Sequence, residues 1–398
     1  MKNKLFARVI VFFLLLSFQS AYAFYTARPL AMGGAFTAVA DDANAVYYNP
    51  AGFARNPGID ILGSTVLANR NNEIGDNQAS LKVCFEAEMN PFAWVLGIGA
   101  ATAMALEGAK YLHDQGVVDK GWGQPNTYKP GESMSEDVKK QGSEKKVDVH
   151  QQAKEKAKEV GKDAAGKAAE FGKQSLEAAK AGFLWSLKNP WFYYGGPYHS
   201  YYYDRGYSPQ GKAQFALGLS WMFDKNPALN QNTNWYTLTL ASGYEERIAF
   251  GGNINVYDLL IPSTNLKGLG GGFDVGMLLR PLDQISFGLS VANLLVAPIR
   301  FDNGSVTNYE MDIKGGISIA PIQNVMLAVD VHNFMKKTAT MHYGVELFPI
   351  PGVALRAGLN DNSKSAGIGI ALNQLILDYA YLGGSYNRTQ VVGVTWKI

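Results

Sequence analysis

The stretch QISFGLSVANL, Gln284–Leu294, alternates without interruption: Ile285, Phe287, Leu289 and Val291 fall on one face, with Ser286, Gly288 and Ser290 on the other. A period of two with one apolar face marks a half-buried antiparallel strand. The pattern recurs on both sides of it. In Asn308–Ile319, Tyr309, Met311, Ile313, Ile317 and Ile319 oppose Glu310, Asp312, Lys314 and Ser318. In Val325–His332, Val325, Leu327, Val329 and Val331 oppose Asp330 and His332. Upstream, Ile248, Phe250, Ile254 and Val256 oppose Arg247, Asn253 and Asn255; downstream, Val353, Leu355 and Leu359 oppose Arg356 and Asn360.

A water-soluble β-sandwich and a lipid-embedded barrel both produce this alternation. The composition of the polar face separates them. A sandwich turns Lys, Glu and Thr to solvent, whereas this face is rich in Gly, Ser and Asn with scattered opposite charges, which suits a crowded lumen. The connections also sort by length. Pro281–Asp283, Pro321–Gln323, Pro349–Pro351 and Asn373-Gln374 are short; Leu260–Gly270, Ala297–Thr307, Asn360–Lys364 and Gly383–Asn387 are longer. Alternating short and long connections are expected of an outer-membrane barrel. Val392, Val394, Trp396 and Ile398 continue the alternation to the last residue, as in a terminal strand read by barrel-assembly machinery, although Ile398 stands where an aromatic is usual.

Other features bound the possibilities. Lys2, Lys4 and Arg8, the largely apolar run Val9–Phe18 and Ala21-Tyr22-Ala23 make residues 1–23 read as a cleaved signal peptide. A retained anchor needs about 20 apolar residues. With 36 basic and 34 acidic residues, the chain carries no nucleic-acid footprint. The single Cys84 excludes an intramolecular disulfide.

After the leader comes RPLAMGGAFTAVADDANAVYYNPAGF, Arg28–Phe53. It is too polar to span a membrane and too irregular for a strand. This stretch resembles the N-terminal segment of FadL-type fatty-acid transporters, outer-membrane barrels, and of their PorV-type relatives. The resemblance implies a hatch, residues 24–57, lodged inside the barrel. Small residues such as Gly33 and Gly34 let its backbone approach a lumen wall. Asp41 and Asp42 can meet lumen cations or cap a short helix. Asn49-Pro50-Ala51-Gly52 turns the chain toward the first strand. Arg28 and Met32 belong to the same hatch. The family's ligand pocket is reached by the mature N-terminus, which implies Phe24 and Tyr25 as ligand contacts. Its lateral exit at a distorted third strand corresponds here to Ala93–Ala103, with Gly97 and Gly99 as the permissive positions.

Fifteen candidate strands can be counted, and bacterial barrels favour even numbers. NWYTLTLASGYEERIAFGGNINVY looks like the family's fourth and fifth strands with their inner turn. Lys212–Phe223 then falls outside the wall. The expectation is an all-β fold: a 14-stranded antiparallel transmembrane barrel, with strands 1–3 in residues 58–105 and strands 4–14 in 233–398. Residues 106–232 form a helical insertion in an outer loop. Within it, AKEKAKEVGKD, AAGKAAEFGKQ and SLEAAKAGFLW repeat in blocks of eleven, an amphipathic helical pattern followed by the aromatic run Asn189–Tyr207. That loop either gathers apolar ligands or is a solvated cap.

No catalytic constellation stands out. The five histidines lack metal-ligand spacing, and no nucleophile elbow or dinucleotide fingerprint is present. The expectation is therefore a non-enzyme without cofactor or metal: a passive channel for long-chain fatty acids or other hydrophobic small molecules, surrounded by outer-membrane lipid. Two alternatives stand beside it, a non-transporting secretion partner or shuttle, and a surface-contact protein.

Overall fold

The computed structural model describes residues 26–68, 75–95, 98, 119–120, 211–226, 230–334, 336, 339–360, 363–384 and 388–398. Fourteen long strands form the wall. They are β1 Gly58–Ala68, β2 Gly75–Glu88, β3 Lys212–Asn226, β4 Gln231–Tyr244 and β5 Ile248–Ile261. Next come β6 Leu266–Leu282, β7 Ile285–Phe301, β8 Asp312–Ile322, β9 Val325–His332 and β10 Thr340–Ile350. The last are β11 Val353–Asn360, β12 Ser363–Leu372, β13 Leu375–Gly384 and β14 Arg388–Lys397. Each pairs antiparallel with its neighbours in sequence, and β1 pairs with β14, so the sheet closes into a barrel. Ile59 and Ile398 exchange two backbone hydrogen bonds of 2.8 Å at this junction.

Closure follows from the alternation. Leu219, Leu240 and Ile254 face outward and are 55%, 54% and 51% exposed, while their neighbours Ser220, Thr239 and Asn253 face inward and are buried. In water such an outer face would be a severe liability. In hydrocarbon it is the required one, and closure pairs each wall strand with a neighbour on both sides, although β7 runs on beyond Ala292, where its pairing with β8 ends. No helix among the described residues is long and apolar enough to cross a membrane. The hairpin between β4 and β5 turns at Glu245 and Glu246, with φ 52° and 54°, the left-handed pair that suits the twist of a tight hairpin.

The lumen is not empty. Residues 26–56 lie inside, with short helices at Ala27–Ala31 and Ala45–Tyr48 and a 3-10 turn at Pro50–Ala54. Met32, Phe36 and Phe53 are fully buried there.

Two expectations are corrected. The strand count of 14 stands, but the third wall strand is Lys212–Asn226, not the stretch Ala93–Ala103. Glu88 of β2 pairs directly with Lys212, and the two strands stay in register to Asn77↔Phe223. Phe215, Leu217, Leu219 and Trp221 point out from β3, while Gln214, Ala216, Gly218 and Ser220 point in. Residues 91–95 are instead helical, begun by Pro91 and by Asn90, whose Oδ1 accepts from Phe92 N at 2.8 Å. A continuous apolar run does not distinguish strand from helix, whereas Asn-Pro at its head is helix-start chemistry.

The second correction follows from the first. With β3 at Lys212, the connection 89–211 leaves and re-enters at the rim carrying the short turns and the β1–β14 junction, not at the rim of the longer loops. It is therefore not an outer loop in the sense expected. The repeats at 153–185 and the aromatic run at 189–207 lie outside the described residues.

Candidate functional site

The lumen is built from inward positions of the strands and from the N-terminal segment they enclose. Arg28 lies at its charged centre. Its Nη1 donates to Asp41 and, at 2.7 Å, to Asp42 Oδ2; its Nη2 donates to Glu346 Oε2 of β10 at 3.0 Å. Glu346 is shared, because Arg356 Nε of β11 donates to its Oε1 at 2.6 Å, and Arg356 Nη1 reaches Asp378 Oδ1 of β13 at 2.6 Å. One ladder of buried charges thus ties the segment to three strands. Burial alone would raise the Asp41 carboxyl, yet the Arg28 charge and hydrogen bond outweigh it and hold Asp41 down at about 2. The partner of Asp41 and Asp42 is thus the segment's own arginine, while Asp42 Oδ1 also accepts from Asn44 N just ahead of the helix Ala45–Tyr48.

A second set of bonds fixes the segment's backbone. Asp330 Oδ2 of β9 accepts from both Phe36 N and Thr37 N at 2.7 Å. Asn253 Nδ2 donates to Val46 O at 2.7 Å, Ser286 Oγ to Ala38 O at 3.0 Å, and Lys314 Nζ to Tyr47 O at 3.1 Å. Asn49 Nδ2 bridges Thr37 O and Met277 O, and its Oδ1 accepts from Ala51 N, which fixes the Asn-Pro-Ala turn against β6. His342 Nδ1 donates to Gly33 O at 2.6 Å, and its ring stacks on His332 with centroids 3.9 Å apart. His332 lies 3.6 Å from Asp330, as neighbours in the lumen should.

Glycine in the wall makes room for this backbone. A side chain at Gly358 of β11 would run into Gly33, and one at Gly288 of β7 into Thr37 O. Gly33 and Gly34 themselves adopt φ of 65° and 85°, which suits glycine.

Toward the longer loops, the segment's Tyr47 and Tyr48 belong to one apolar cluster with Met222, Trp235, Tyr257, Leu259, Ile299 and Tyr309. Trp235, Tyr257 and Tyr309 form a triad with ring centroids 4.6, 5.1 and 4.8 Å apart. Tyr309 was expected on the outward apolar face. It is instead 8% exposed on the lumen side, because β8 begins only at Asp312 and residues 308–311 leave the ladder. A polar ladder underlies the triad: Tyr257 donates to Asn293 Oδ1 at 2.7 Å, Asn293 N donates to Asp274 at 2.8 Å, and Asp274 accepts from Asn253 and Asn255.

Of the residues singled out from sequence, Arg28, Met32, Gly33, Gly34, Asp41, Asp42, Asn49, Pro50 and Ala51 all lie in this lumen. Phe24, Tyr25, Gly97 and Gly99 lie outside the described residues. The direct β2–β3 pairing leaves no place in the wall between them for a strand carrying Gly97 and Gly99. Glu346, Arg356 and Asp378 were not singled out as the segment's anchors. Their signal was present, since each is a charge at an inward position of an alternating strand.

No protein-family model and no curated protein matches the sequence. Among solved structures, the CymD monoaromatic hydrocarbon channel aligns over 93% of this chain and 96% of its own, at 10% identity and a TM-score of 0.47. The Ralstonia pickettii toluene transporter TbuX aligns over 94% and 98%, at 9% identity and a TM-score of 0.39. A TodX monoaromatic hydrocarbon channel deltaS2 mutant aligns over 93% and 96%, at 9% identity and a TM-score of 0.38. Likenesses this distant transfer no substrate.

Proposed function

We propose that this chain is a bacterial outer-membrane channel for passive entry of hydrophobic small molecules, with residues 24–57 as its hatch and long-chain fatty acids as the leading candidates. The observation that carries the reading is a closed barrel with a hydrocarbon-facing exterior and a lumen filled by its own N-terminal segment beneath an aromatic cluster. Water and ions have no reason to require aromatic walls. An apolar solute does, since burying its surface against Trp235, Tyr257 and Tyr309 stabilises it by about 25 cal/mol per Å². The resemblance of Arg28–Phe53 to FadL-type hatches points the same way and implies Phe24 and Tyr25 as ligand contacts. Mass spectrometry of lipids and hydrocarbons that co-purify with the barrel tests the class. Deleting Phe24–Arg28 tests the gate: ligand occupancy should change, and unchanged occupancy would count against it.

One observation favours a second reading. The segment is anchored to nearly every part of the wall, as in a barrel that holds its plug permanently and serves as a secretion partner or shuttle. A stable complex with secretion components, without bound apolar ligand, would select it.

A further inference from the structure

β7 is longer than its partner on one edge. It pairs with β8 from Ile285 to Ala292, but β8 begins at Asp312, while β7 continues to Phe301. Beyond Ala292 that edge meets two short strands. Val306–Thr307, from the adjoining loop, pairs with Ile299 and Arg300. Asp119–Lys120, from the β2–β3 connection, pairs antiparallel with Leu295 and Val296. The same connection is tied a second time. Trp94 Nε1 donates to Ser242 Oγ at 2.9 Å, and its ring packs against Tyr244 and Phe250 at 5.4 and 6.4 Å. Ser242, Tyr244 and Phe250 occupy outward positions of β4 and β5, in register with exposed Leu240 and Ile254. Trp94 is nevertheless 6% exposed, so it is seated on the outside of the barrel at the short-turn rim. The two ties lie toward opposite ends of the wall. The sequence that contains the first tie, Pro91–Leu106, has no charged residue, the composition that hydrocarbon tolerates.

We infer that the β2–β3 connection is a staple of the barrel wall, docked by Trp94 on the lipid side and closing with Asp119–Lys120 a seam that the fourteen wall strands leave open between β7 and β8. The physical reason is that an unpaired sheet edge does not persist against lipid, because each unsatisfied peptide group there costs several kcal/mol. The seam also lies beside residues 308–311, which carry Tyr309 of the aromatic triad, so the staple separates the lumen cluster from the membrane. This interaction does not depend on which solute the barrel carries.

The test uses the full chain in detergent micelles. In a Cys84→Ala background, the pairs D119C/V296C and K120C/L295C are oxidised separately; directly opposed residues of an antiparallel pair have Cβ atoms about 4.5–5.5 Å apart. At least one pair should form an intramolecular disulfide. Hydrogen exchange gives a second readout on the unmodified chain: the peptide covering 293–298 should be protected like 285–291. In K120P its exchange should rise at least about tenfold while 285–291 is unchanged. Absence of both disulfides, or loop-like exchange of 293–298 in the unmodified chain, or K120P exchange equal to the parent, would overturn the assignment. A K120P chain that failed to fold would leave the first two measurements decisive.

Discussion

Replacing Arg28 by alanine should release the N-terminal segment while leaving the barrel intact. The substitution leaves Asp41, Asp42 and Glu346, which are 4%, 6% and 0% exposed, without the one guanidinium that bonds all three, and Arg55 of the segment acts on Asp41 only through space. Arg356 still meets Glu346 and Asp378, but it makes no bond to the segment's aspartates. Removing one partner of a buried ion pair costs about 3–5 kcal/mol. At about 1.4 kcal/mol per decade, the equilibrium between seated and displaced segment shifts by roughly 100- to 4,000-fold. The barrel's own pairing does not involve Arg28, so heat-modifiable gel migration should stay that of a folded barrel. Two measurements read the displacement: single-channel conductance in planar bilayers, closed for the parent and open for R28A, and protease access to a tag ahead of Thr26. Adding E346Q to R28A removes one stranded charge and should restore part of the seating. Conductance and protease protection identical to the parent, in a folded R28A barrel, would refute the argument that this charge ladder holds the segment.

Acid should act through the same ladder. Asp41 is depressed in the folded state to about 2, so its stabilising contribution is complete above its unfolded value near 4 and is lost as pH falls from about 4 through about 2; protease access to the N-terminal tag should rise in that window. Gly358→Val forces a branched side chain into Gly33 and should cost about 1–3 kcal/mol or more, measured as a lowered denaturant midpoint, whereas Gly63→Ala, with nothing within 4 Å of the added carbon, should be near neutral. Leu219→Arg places a charge on the outward face at mid-strand and should cost about 2–4 kcal/mol in lipid-vesicle folding titrations; a far smaller penalty would mean that this face does not meet hydrocarbon. Trp235→Ala should weaken retention of co-purified apolar ligand with the barrel still folded, and unchanged retention would remove the aromatic triad from the ligand path.

Most of the barrel was legible in its residues. Alternation within each strand is local: a Leu or Ile every second position selects a face whatever the rest of the chain does, and closure with an apolar exterior follows once that face is found on many strands. Lys212–Phe223 shows the strength of the rule, because its own alternation was sound while the resemblance that displaced it from the wall was not. Residues 91–95 show the limit, since an unbroken apolar run carries no period and its Asn-Pro start was the better guide. In the lumen, the turn at Asn49-Pro50 and the close-approach glycines could be read from residue chemistry, as could the readiness of Asp41 and Asp42 for a cation. Which cation they meet could not.

Side-chain alternation and turn residues are properties of neighbours in the chain, so they specified a closed antiparallel wall with a greasy exterior and a small-residue segment inside it. The meeting of Arg28 with Glu346, and of Asp330 with Phe36 and Thr37, joins residues about 300 positions apart. The seating of Asp119–Lys120 on β7 joins residues about 175 positions apart. Such partners are chosen by where register and barrel closure place them in space, and only the folded wall decides that.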